Sequence, residues 1–393
     1  MASILGSTVP VDINSRKTIF AIIFLAVIGP CVFIVQPGFV GDGLIGLLSF
    51  SESQAGDIAA AEMWGIALTT VLLIPLAGRV SWRVFTAISV LFCTAGNLAS
   101  IGQTDFDTLR VLRFLTGLGS GGIISLTFTM MGLTARADRN FGFIIVWVLT
   151  YGGLGLLVMP WAFGTLGMNG VLMFFGLFCL SGLLFVRALP DSSQTNEETS
   201  KGNDDHYSGL LKSVSLLAIL VYNIGIGIVW VFLFAVGVED ASMEPQAVAQ
   251  ALFVSQLMGI VGAFGAVFLE AKIGRFIPLM IGMFGGAAGI YLLLDGVSVS
   301  EFWYGVCIFN LLWNLSMPYL LGTMAEFESS GRMVVYGVAM QMVGLAVGPF
   351  IAARIVDKGG FDGVNMTAIG FFVVSALLII PAALAQKKVA GLR

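Results

Sequence analysis

Charged residues are scarce in this sequence, and their scarcity excludes a water-soluble protein. Of the 393 residues, 11% are charged and 58% are hydrophobic, whereas soluble domains carry about 25% charged residues. A folded chain of this length could not hide so much apolar surface from water. Its solvent must therefore be lipid, and we expect a membrane protein.

Residues that usually carry catalysis or bind metals are also few. The single histidine, His206, lies in a polar segment, and the four cysteines lie inside apolar runs without a C-x-x-C pair. Neither a disulfide framework nor a zinc site is indicated. The G-x-x-x-x-G-K-[ST] motif that cradles nucleotide phosphates does not occur. The sequence therefore predicts no enzyme activity, no metal site and no cofactor.

Long, largely uncharged runs make up most of the chain. A membrane-spanning helix needs about 20 apolar residues, and twelve segments provide this length, numbered here as spans 1 to 12. They cover residues 18–41, 53–78, 84–104, 108–135, two helices within 141–186, 213–238, 245–269, 276–294, 302–325, 333–353 and 363–386. Gly164 to Gly170 supplies the turn between spans 5 and 6. Because an open sheet leaves backbone groups unsatisfied in lipid, we predict an all-α polytopic membrane protein.

Basic residues lie mostly on one side of the predicted membrane. With both termini in the cytoplasm, 15 of the 19 basic residues fall on the cytoplasmic side, and the others are Arg110, Arg113, Arg354 and Lys358. Cytoplasmic loops of membrane proteins carry such an excess of Lys and Arg. We therefore expect a multi-pass protein of the cytoplasmic (inner) membrane with both termini in the cytoplasm.

A polar segment and an internal repeat divide the chain into two halves. The predicted parts are a cytoplasmic N-terminus (1–17), an N-terminal six-helix bundle (18–189), a cytoplasmic linker (190–210), a C-terminal six-helix bundle (211–386) and a cytoplasmic C-terminus (387–393). The loops after spans 2 and 8 align at an offset of 193 residues. Their matching positions include Gly78, Arg79 and Arg83 in the first loop and Lys272, Gly274 and Arg275 in the second. Two six-helix halves related in this way are typical of transporters built from parallel repeats.

Over its whole length the chain resembles the major facilitator superfamily. The loop after span 2 is similar to that family's signature loop, although Gly78 stands where the family has Asp and Trp82 replaces a basic residue. Span 4 is similar in carrying an intramembrane Arg113 followed by a run of glycines from Gly117 to Gly122. The resemblance implies twelve helices in two six-helix pseudo-repeat bundles that transport a solute by alternating access.

The family's drug–proton antiporters carry a Gly-Pro motif in span 5. Here Pro160 follows Met159, and a Gly-Pro pair occurs instead at Gly348-Pro349 in span 11. The departure weakens the interpretation of the chain as an exporter. The string Gly117-x-Gly119-x-x-Gly122 follows no strand, so it indicates close helix packing rather than a dinucleotide site.

Two opposite charges lie inside predicted spans. Glu62 is about ten residues into span 2, and Arg113 lies about five or six residues into span 4. A charge near the bilayer centre costs about 2.5–3.5 kcal/mol on insertion scales, so an unpaired charge facing lipid is disfavoured. We expect Glu62 and Arg113 to face the interior of the N-terminal bundle. They would serve either in proton coupling and gating or as a static pair that locks two helices.

Amides and aromatic rings at mid-depth form a second set of candidates. The predicted substrate cavity consists of Tyr151, Tyr222, Asn223, Trp230, Gln256, Asn310, Trp313, Asn314 and Gln341. Asn310 and Asn314 share one helical face at i and i+4. Such groups suit a small, partly apolar organic solute. The alternative is that the amides join helices and the rings fill the core.

These observations favour a secondary active transporter of a small organic solute, with an organic or aromatic acid as one option because Arg113 is a buried cation. Proton-coupled symport or antiport is expected. A drug or metabolite exporter and a lipid flippase of the same fold remain as alternatives. We expect a small-molecule substrate, protons and the lipid bilayer as partners, no nucleic acid, and function as a monomer.

Overall fold

The computed structural model describes residues 11–76, 80–191, 207–273, 275–327 and 332–390, and this part of the chain is helical without a β-strand. The first half forms α1 (Arg16–Ile28), α2 (Cys31–Ile34), α3 (Gln36–Gly38), a π-helix (Phe39–Leu47), α4 (Glu52–Leu76), α5 (Trp82–Ala99), α6 (Phe106–Gly132), α7 (Ala137–Ser181) and α8 (Leu183–Val186). The second half forms α9 (Gly209–Glu239), α10 (Pro245–Ile273), α11 (Phe276–Tyr291), α12 (Val299–Phe327) and α13 (Arg332–Ala390).

These helices supply twelve crossings within the described ranges. Eight helical segments are long and apolar enough to cross a membrane, and two of them turn back on themselves. α7 breaks at Gly167 (φ 65°) and α13 at Gly360 (φ 57°), which is left-handed backbone that glycine adopts at little cost. Span 1 is built from α1 to the π-helix, and span 9 is the shorter α11. The predicted twelve-helix fold and the turn between spans 5 and 6 are confirmed.

Span 1 is the most irregular of the crossings. Its helix is interrupted around Pro30 and again at Val35, and it continues as a π-helix to Leu47 rather than ending at residue 41. Proline lacks a backbone N–H and breaks the ladder of helical hydrogen bonds, and both Pro30 and Pro37 lie in this stretch. Interrupted helices and π-helical turns occur frequently at functional sites.

Glycines bring span 2 into close contact with span 4. A Cβ atom at Gly117 would overlap the carbonyl oxygen of Glu62, and one at Gly65 would overlap the carbonyl oxygen of Phe114. Gly121 is placed in the same way against Ile66. Small residues allow helix backbones to approach closely in membranes. The glycine run of span 4 therefore fixes the position of Glu62 relative to Arg113.

We predict that Gly117→Ala destabilises the fold, because its methyl group would push the backbones of spans 2 and 4 apart. Overpacking of this kind costs about 1–3 kcal/mol, measurable as a lower melting temperature of the purified protein in detergent. Gly132→Ala in the same helix is the matched control, because a Cβ there meets no atom within 4 Å. Equal melting temperatures for the two variants would contradict the packing argument.

The two halves touch each other near the end of the bundle that lies away from the chain termini, called the distal end here and marked by Phe50, Gly167 and Gly360. Span 2 meets span 11 where Gly56 faces Ala353. Span 8 meets span 5 where the Gln246 side-chain amide donates to the carbonyl of Leu157 (3.2 Å). These contacts close the distal end in this conformation.

The boundary between the halves falls partly outside the described residues. α8 ends at Val186 and α9 begins at Gly209, while residues 192–206 of the predicted linker are not described. The division into domains at 190–210 stays a prediction.

Candidate functional site

The two intramembrane charges lie beside each other in the interior of the first half. Glu62 on α4 is 3% exposed and Arg113 on α6 is 1% exposed. The distance from Arg113 Nη1 to Glu62 Oε2 is 3.9 Å, which is too long for a hydrogen bond but close enough for ion pairing. The sequence analysis expected both side chains to face the interior of the N-terminal bundle, where they lie. The role of the pair in proton coupling stays a prediction.

Hydrogen bonds to span 3 hold the Arg113 guanidinium in place. Its Nη1 donates to Asn97 Oδ1 (2.9 Å), and its Nη2 donates to Ser100 Oγ (2.9 Å) and to the carbonyl of Gly96 (3.1 Å). All three acceptors are neutral. Arg113 would therefore keep these bonds if Glu62 gained a proton, whereas the electrostatic contact with Glu62 would be lost. The geometry therefore allows Glu62 to gain or lose a proton without breaking the hydrogen bonds that Arg113 makes to span 3.

Three cysteines meet beside this network. The Cys93 and Cys179 sulfurs are 3.0 Å apart, and Cys31 lies 3.7 Å from Cys179. The Asn97 amide nitrogen lies 3.8 Å from both Cys93 and Cys179. The sequence analysis noted that each cysteine lies in an apolar run without a C-x-x-C pair and did not predict this contact. Spans 1, 3 and 6 bring these three together, and all are free thiols.

A group of aromatic and amide side chains, called the central cluster here, lies where spans 5, 7, 8 and 10 meet, and spans 5 and 7 also contact span 1 there. Its members are Tyr151, Trp230, Gln256, Asn310, Trp313 and Asn314. The rings of Trp230 and Trp313 meet edge to face with centroids 5.6 Å apart. Asn314 donates to Asn310 Oδ1 (2.9 Å), and Asn310 donates to Ser255 Oγ (3.2 Å). The predicted pairing of the two asparagines on one face is present in the structure.

The central cluster also connects the halves through the backbone of span 1. The Trp230 indole N–H on span 7 donates to the carbonyl of Phe33 (3.1 Å), and the Tyr151 hydroxyl on span 5 donates to the carbonyl of Cys31 (3.1 Å). These carbonyls lie in the stretch where span 1 is interrupted. Irregular backbone within a membrane requires such partners.

Span 1 reaches from the central cluster to the buried charges. Phe39 lies one to two helical turns beyond Phe33 and Ile34, and its ring centroid is 5.9 Å from the Arg113 guanidinium carbon. Gln36 lies between these points and is 2% exposed. The sequence analysis did not select Gln36, although an amide beside Pro37 within an apolar run was a signal that could have indicated it.

Several buried polar atoms have no hydrogen-bond partner in the described part of the chain. They are Oε1 of Gln36, Oε1 of Gln256, Oδ1 of Asn223, the Tyr222 hydroxyl and Nε of Arg113, together with the hydroxyls of Thr86 and Thr94. An unpaired buried polar group costs about 1–3 kcal/mol, so such groups indicate a place for water or a bound solute. Two of these atoms, on Gln36 and Gln256, belong to helices that meet at the central cluster.

Three predicted cavity residues lie apart from the central cluster. Tyr222 packs on Phe372 with ring centroids 4.8 Å apart, and the Asn223 amide donates to the carbonyl of Ile219 (2.8 Å). Both side chains are fully buried within the second half. Gln341 is half-buried on span 11. Their assignment to a substrate cavity stays a prediction.

The two signature loops use arginine to hold neighbouring helix ends. Arg83 is buried and its Nε donates to the carbonyl of Leu189 (2.6 Å). Arg275 donates to the carbonyl of Gly322 (3.0 Å) and pairs with Glu326 (2.5 Å). The predicted positions Gly78, Arg79 and Gly274 lie outside the described residues, as does the side chain of Lys272.

A second ion pair joins the two halves at the distal end. Asp57 on span 2 pairs with Arg354 on span 11, and the Arg354 guanidinium also stacks on the Phe350 ring at 3.6 Å. The two residues are 297 positions apart. Nothing in the sequence analysis predicted this pair. Opening the distal end would require this pair to separate.

Comparisons with known proteins give a family model and several similar proteins. The model of the Major Facilitator Superfamily matches residues 4–327. The chain is 22% identical over 396 residues to the 4-hydroxybenzoate transporter PcaK of Acinetobacter baylyi, covering 88% of this chain and 84% of that protein. It is 22% identical over 405 residues to PcaK of Pseudomonas aeruginosa, covering 90% and 87%. The solved structure of the nucleoside transporter NupG has the same fold, with a TM-score of 0.71 at 12% identity over 94% of this chain and 99% of that one.

Proposed function

The chain belongs to the Major Facilitator Superfamily, and from that premise we propose that it imports a small aromatic acid together with protons. It is a multi-pass membrane transporter rather than an enzyme. The proposal adds the substrate class, the coupling ion and a place in the cytoplasmic membrane with both termini in the cytoplasm. Two relatives that are named 4-hydroxybenzoate transporters and align over most of their length support the substrate class.

The observation that carries the substrate proposal is the composition of the central cluster. Trp230 and Trp313 offer apolar ring faces, and the buried Gln256 Oε1 has no hydrogen-bond donor in the described ranges. A flat aromatic solute with a hydroxyl group would stack on the rings and donate to that oxygen. Arg113, a buried cation inside a membrane span of the first half, supports a solute of negative charge.

Proton coupling is proposed to act through span 1. When Glu62 is protonated, Arg113 loses a countercharge while it keeps its hydrogen bonds to span 3. Phe39 lies against Arg113, and the carbonyls of Cys31 and Phe33 bind the central cluster, so span 1 contacts both sites. A change at the buried charges would thereby alter the balance between the closed distal end seen here and an open one.

The substrate class is tested by the melting temperature of the purified protein with a panel of solutes. A ligand that binds the folded protein raises its melting temperature. We expect 4-hydroxybenzoate to raise it most, benzoate less because it lacks the hydroxyl donor, and uridine not at all. A shift with uridine and none with the two aromatic acids would overturn the proposal.

We predict that Gln256→Leu weakens uptake of a hydroxylated aromatic acid, because its carbonyl oxygen would no longer accept the solute hydroxyl. Loss of one hydrogen bond of this kind costs about 1–3 kcal/mol, or a rise in KM of roughly 5- to 150-fold. Benzoate uptake should change much less. The matched control is Gln103→Leu in a distal loop, which should leave both KM values unchanged. An equal rise for benzoate would contradict the assigned contact.

A further inference from the structure

A cavity of about 410 Å³ lies beside the seam between the halves and outside the central cluster. Its walls come from span 2 (Asp57 and Trp64), span 4 (Arg110 and Phe114) and span 11 (Phe350 and Arg354). Trp64 is 39% exposed and Phe350 is 44% exposed. The cavity is thus a cleft on the surface of the transmembrane bundle, with apolar walls that face the bilayer.

Charged and apolar groups line this cleft at different depths. Asp57, Arg110 and Arg354 lie four to six residues from the distal ends of their helices, which are near Glu52, Phe106 and Gly360. At 1.5 Å per residue they lie about 6–9 Å from those ends, whereas Phe114, Phe350 and Trp64 lie about 12–18 Å from them. The polar part is therefore near the membrane surface and the aromatic part lies deeper. A phospholipid has the same order of polar and apolar groups.

Cations are rare on this side of the molecule, and two of them share the cleft. Four of the 19 basic residues lie away from the predicted cytoplasmic side, and Arg110 and Arg354 are two of those four. Their side chains are 47% and 49% exposed. Each pairs with one carboxylate, Arg110 with Asp107 and Arg354 with Asp57, and both arginines line the same cleft wall.

Both arginines keep hydrogen-bond donors that could bind an anion. Arg110 uses Nη2 to contact Asp107 (2.8 Å), and Arg354 uses Nη1 to contact Asp57 and the carbonyl of Phe350. Each guanidinium has five N–H donors, and its planar geometry suits phosphate oxygens. The charged residues of the cleft wall are one carboxylate and two guanidinium groups. Asp107, which pairs with Arg110, is 73% exposed and is not part of the wall. The remaining N–H donors of the two half-exposed guanidinium groups are therefore the groups that would bind a single phosphodiester.

We propose that this cleft binds one anionic phospholipid of the adjoining leaflet. The phosphate lies between Arg110 and Arg354, and an acyl chain follows the wall of Trp64, Phe114 and Phe350. Arg110 belongs to the first half and Arg354 to the second, so the phosphate links the halves beside the Asp57–Arg354 pair. The bound lipid therefore stabilises the conformation with the distal end closed.

The experiment measures lipid retention by native mass spectrometry and melting temperature, neither of which depends on the transported solute. Full-length protein in detergent receives phosphatidylglycerol or phosphatidylcholine with the same acyl chains. We expect at least about fivefold preferential retention of phosphatidylglycerol, and a higher melting temperature with that lipid. Equal retention of the two lipids would overturn the proposal.

Two variants and a soluble competitor locate the site. Arg110→Gln leaves the Asp57–Arg354 pair intact and should remove the preference for phosphatidylglycerol, as should the Arg110→Gln/Arg354→Gln double variant. Lys358→Gln removes a cation of the same region outside the cleft wall and should keep the preference. Glycerol phosphate, which has no acyl chains, should not displace the lipid. Unchanged preference in Arg110→Gln, or displacement by glycerol phosphate, would contradict the proposed site.

Discussion

Replacing Glu62 with Gln should abolish proton-driven accumulation of substrate while exchange of labelled for unlabelled substrate continues. Glutamine has nearly the shape of a protonated glutamate but cannot release a proton, so Arg113 is left permanently without its countercharge. A coupling free energy of about 1–3 kcal/mol corresponds to a fall in accumulation of roughly 5- to 150-fold. The fold itself should be retained, because the Arg113 guanidinium keeps its three hydrogen bonds to Asn97, Ser100 and the carbonyl of Gly96.

The measurement compares two assays on the same reconstituted protein. Accumulation is driven by an imposed pH gradient, and exchange is followed at equal pH on both sides. Glu52→Gln is the control, because Glu52 begins the same helix at the membrane surface and should support both activities. If Glu62→Gln accumulates substrate as the unaltered protein does, Glu62 is a static partner of Arg113.

Replacing Arg113 with Gln should destabilise the protein more than any other single change considered for the buried charges. In this variant Glu62, which is 3% exposed, has lost its neighbouring cation. The acceptor oxygens of Asn97, Ser100 and Gly96 also lose the guanidinium donors that bind them. Removing one partner of a buried ion pair costs about 3–5 kcal/mol. We therefore expect a large fall in melting temperature and in the yield of folded protein.

A double-mutant cycle separates the charge from the hydrogen bonds. Glu62→Gln/Arg113→Gln should melt at a higher temperature than Arg113→Gln alone, because the unpaired carboxylate is gone. Arg110→Gln, three positions earlier on the same helix and half-exposed, should cost about 0–1 kcal/mol as a surface ion pair does. Similar melting temperatures for Arg113→Gln and Arg110→Gln would show that Glu62 does not depend on Arg113.

The sequence identified the buried charges and the fold because both produce strong local signals. Glu62 and Arg113 are conspicuous in apolar runs, and lipid penalises any arrangement in which they are apart. The twelve crossings follow from run length, and the left-handed Gly167 lies within the glycine turn predicted between spans 5 and 6. Depth along a helix can be read from the sequence in this way.

The rotation of each helix about its axis cannot be read so directly. Tyr222 packs on Phe372 and the Asn223 amide donates to the carbonyl of Ile219, both apart from the central cluster, and their place in a substrate cavity stays a prediction. Cys31, Cys93 and Cys179 meet although up to 148 positions separate them, and Asp57 meets Arg354 across 297 positions. Such pairings depend on how whole helices pack, and no periodicity within a single span reports them. The interruption of span 1 likewise arises from its contacts as well as from its prolines.

Coupled movement of an aromatic acid and protons is tested most directly by one transport measurement. Purified protein in liposomes receives labelled 4-hydroxybenzoate under an imposed pH gradient, with protein-free liposomes as the correction for passive permeation of the protonated acid. We predict accumulation above that correction, which collapses when the gradient is abolished and is missing in Glu62→Gln. Uptake that only reaches the external concentration, with or without the gradient, would contradict it.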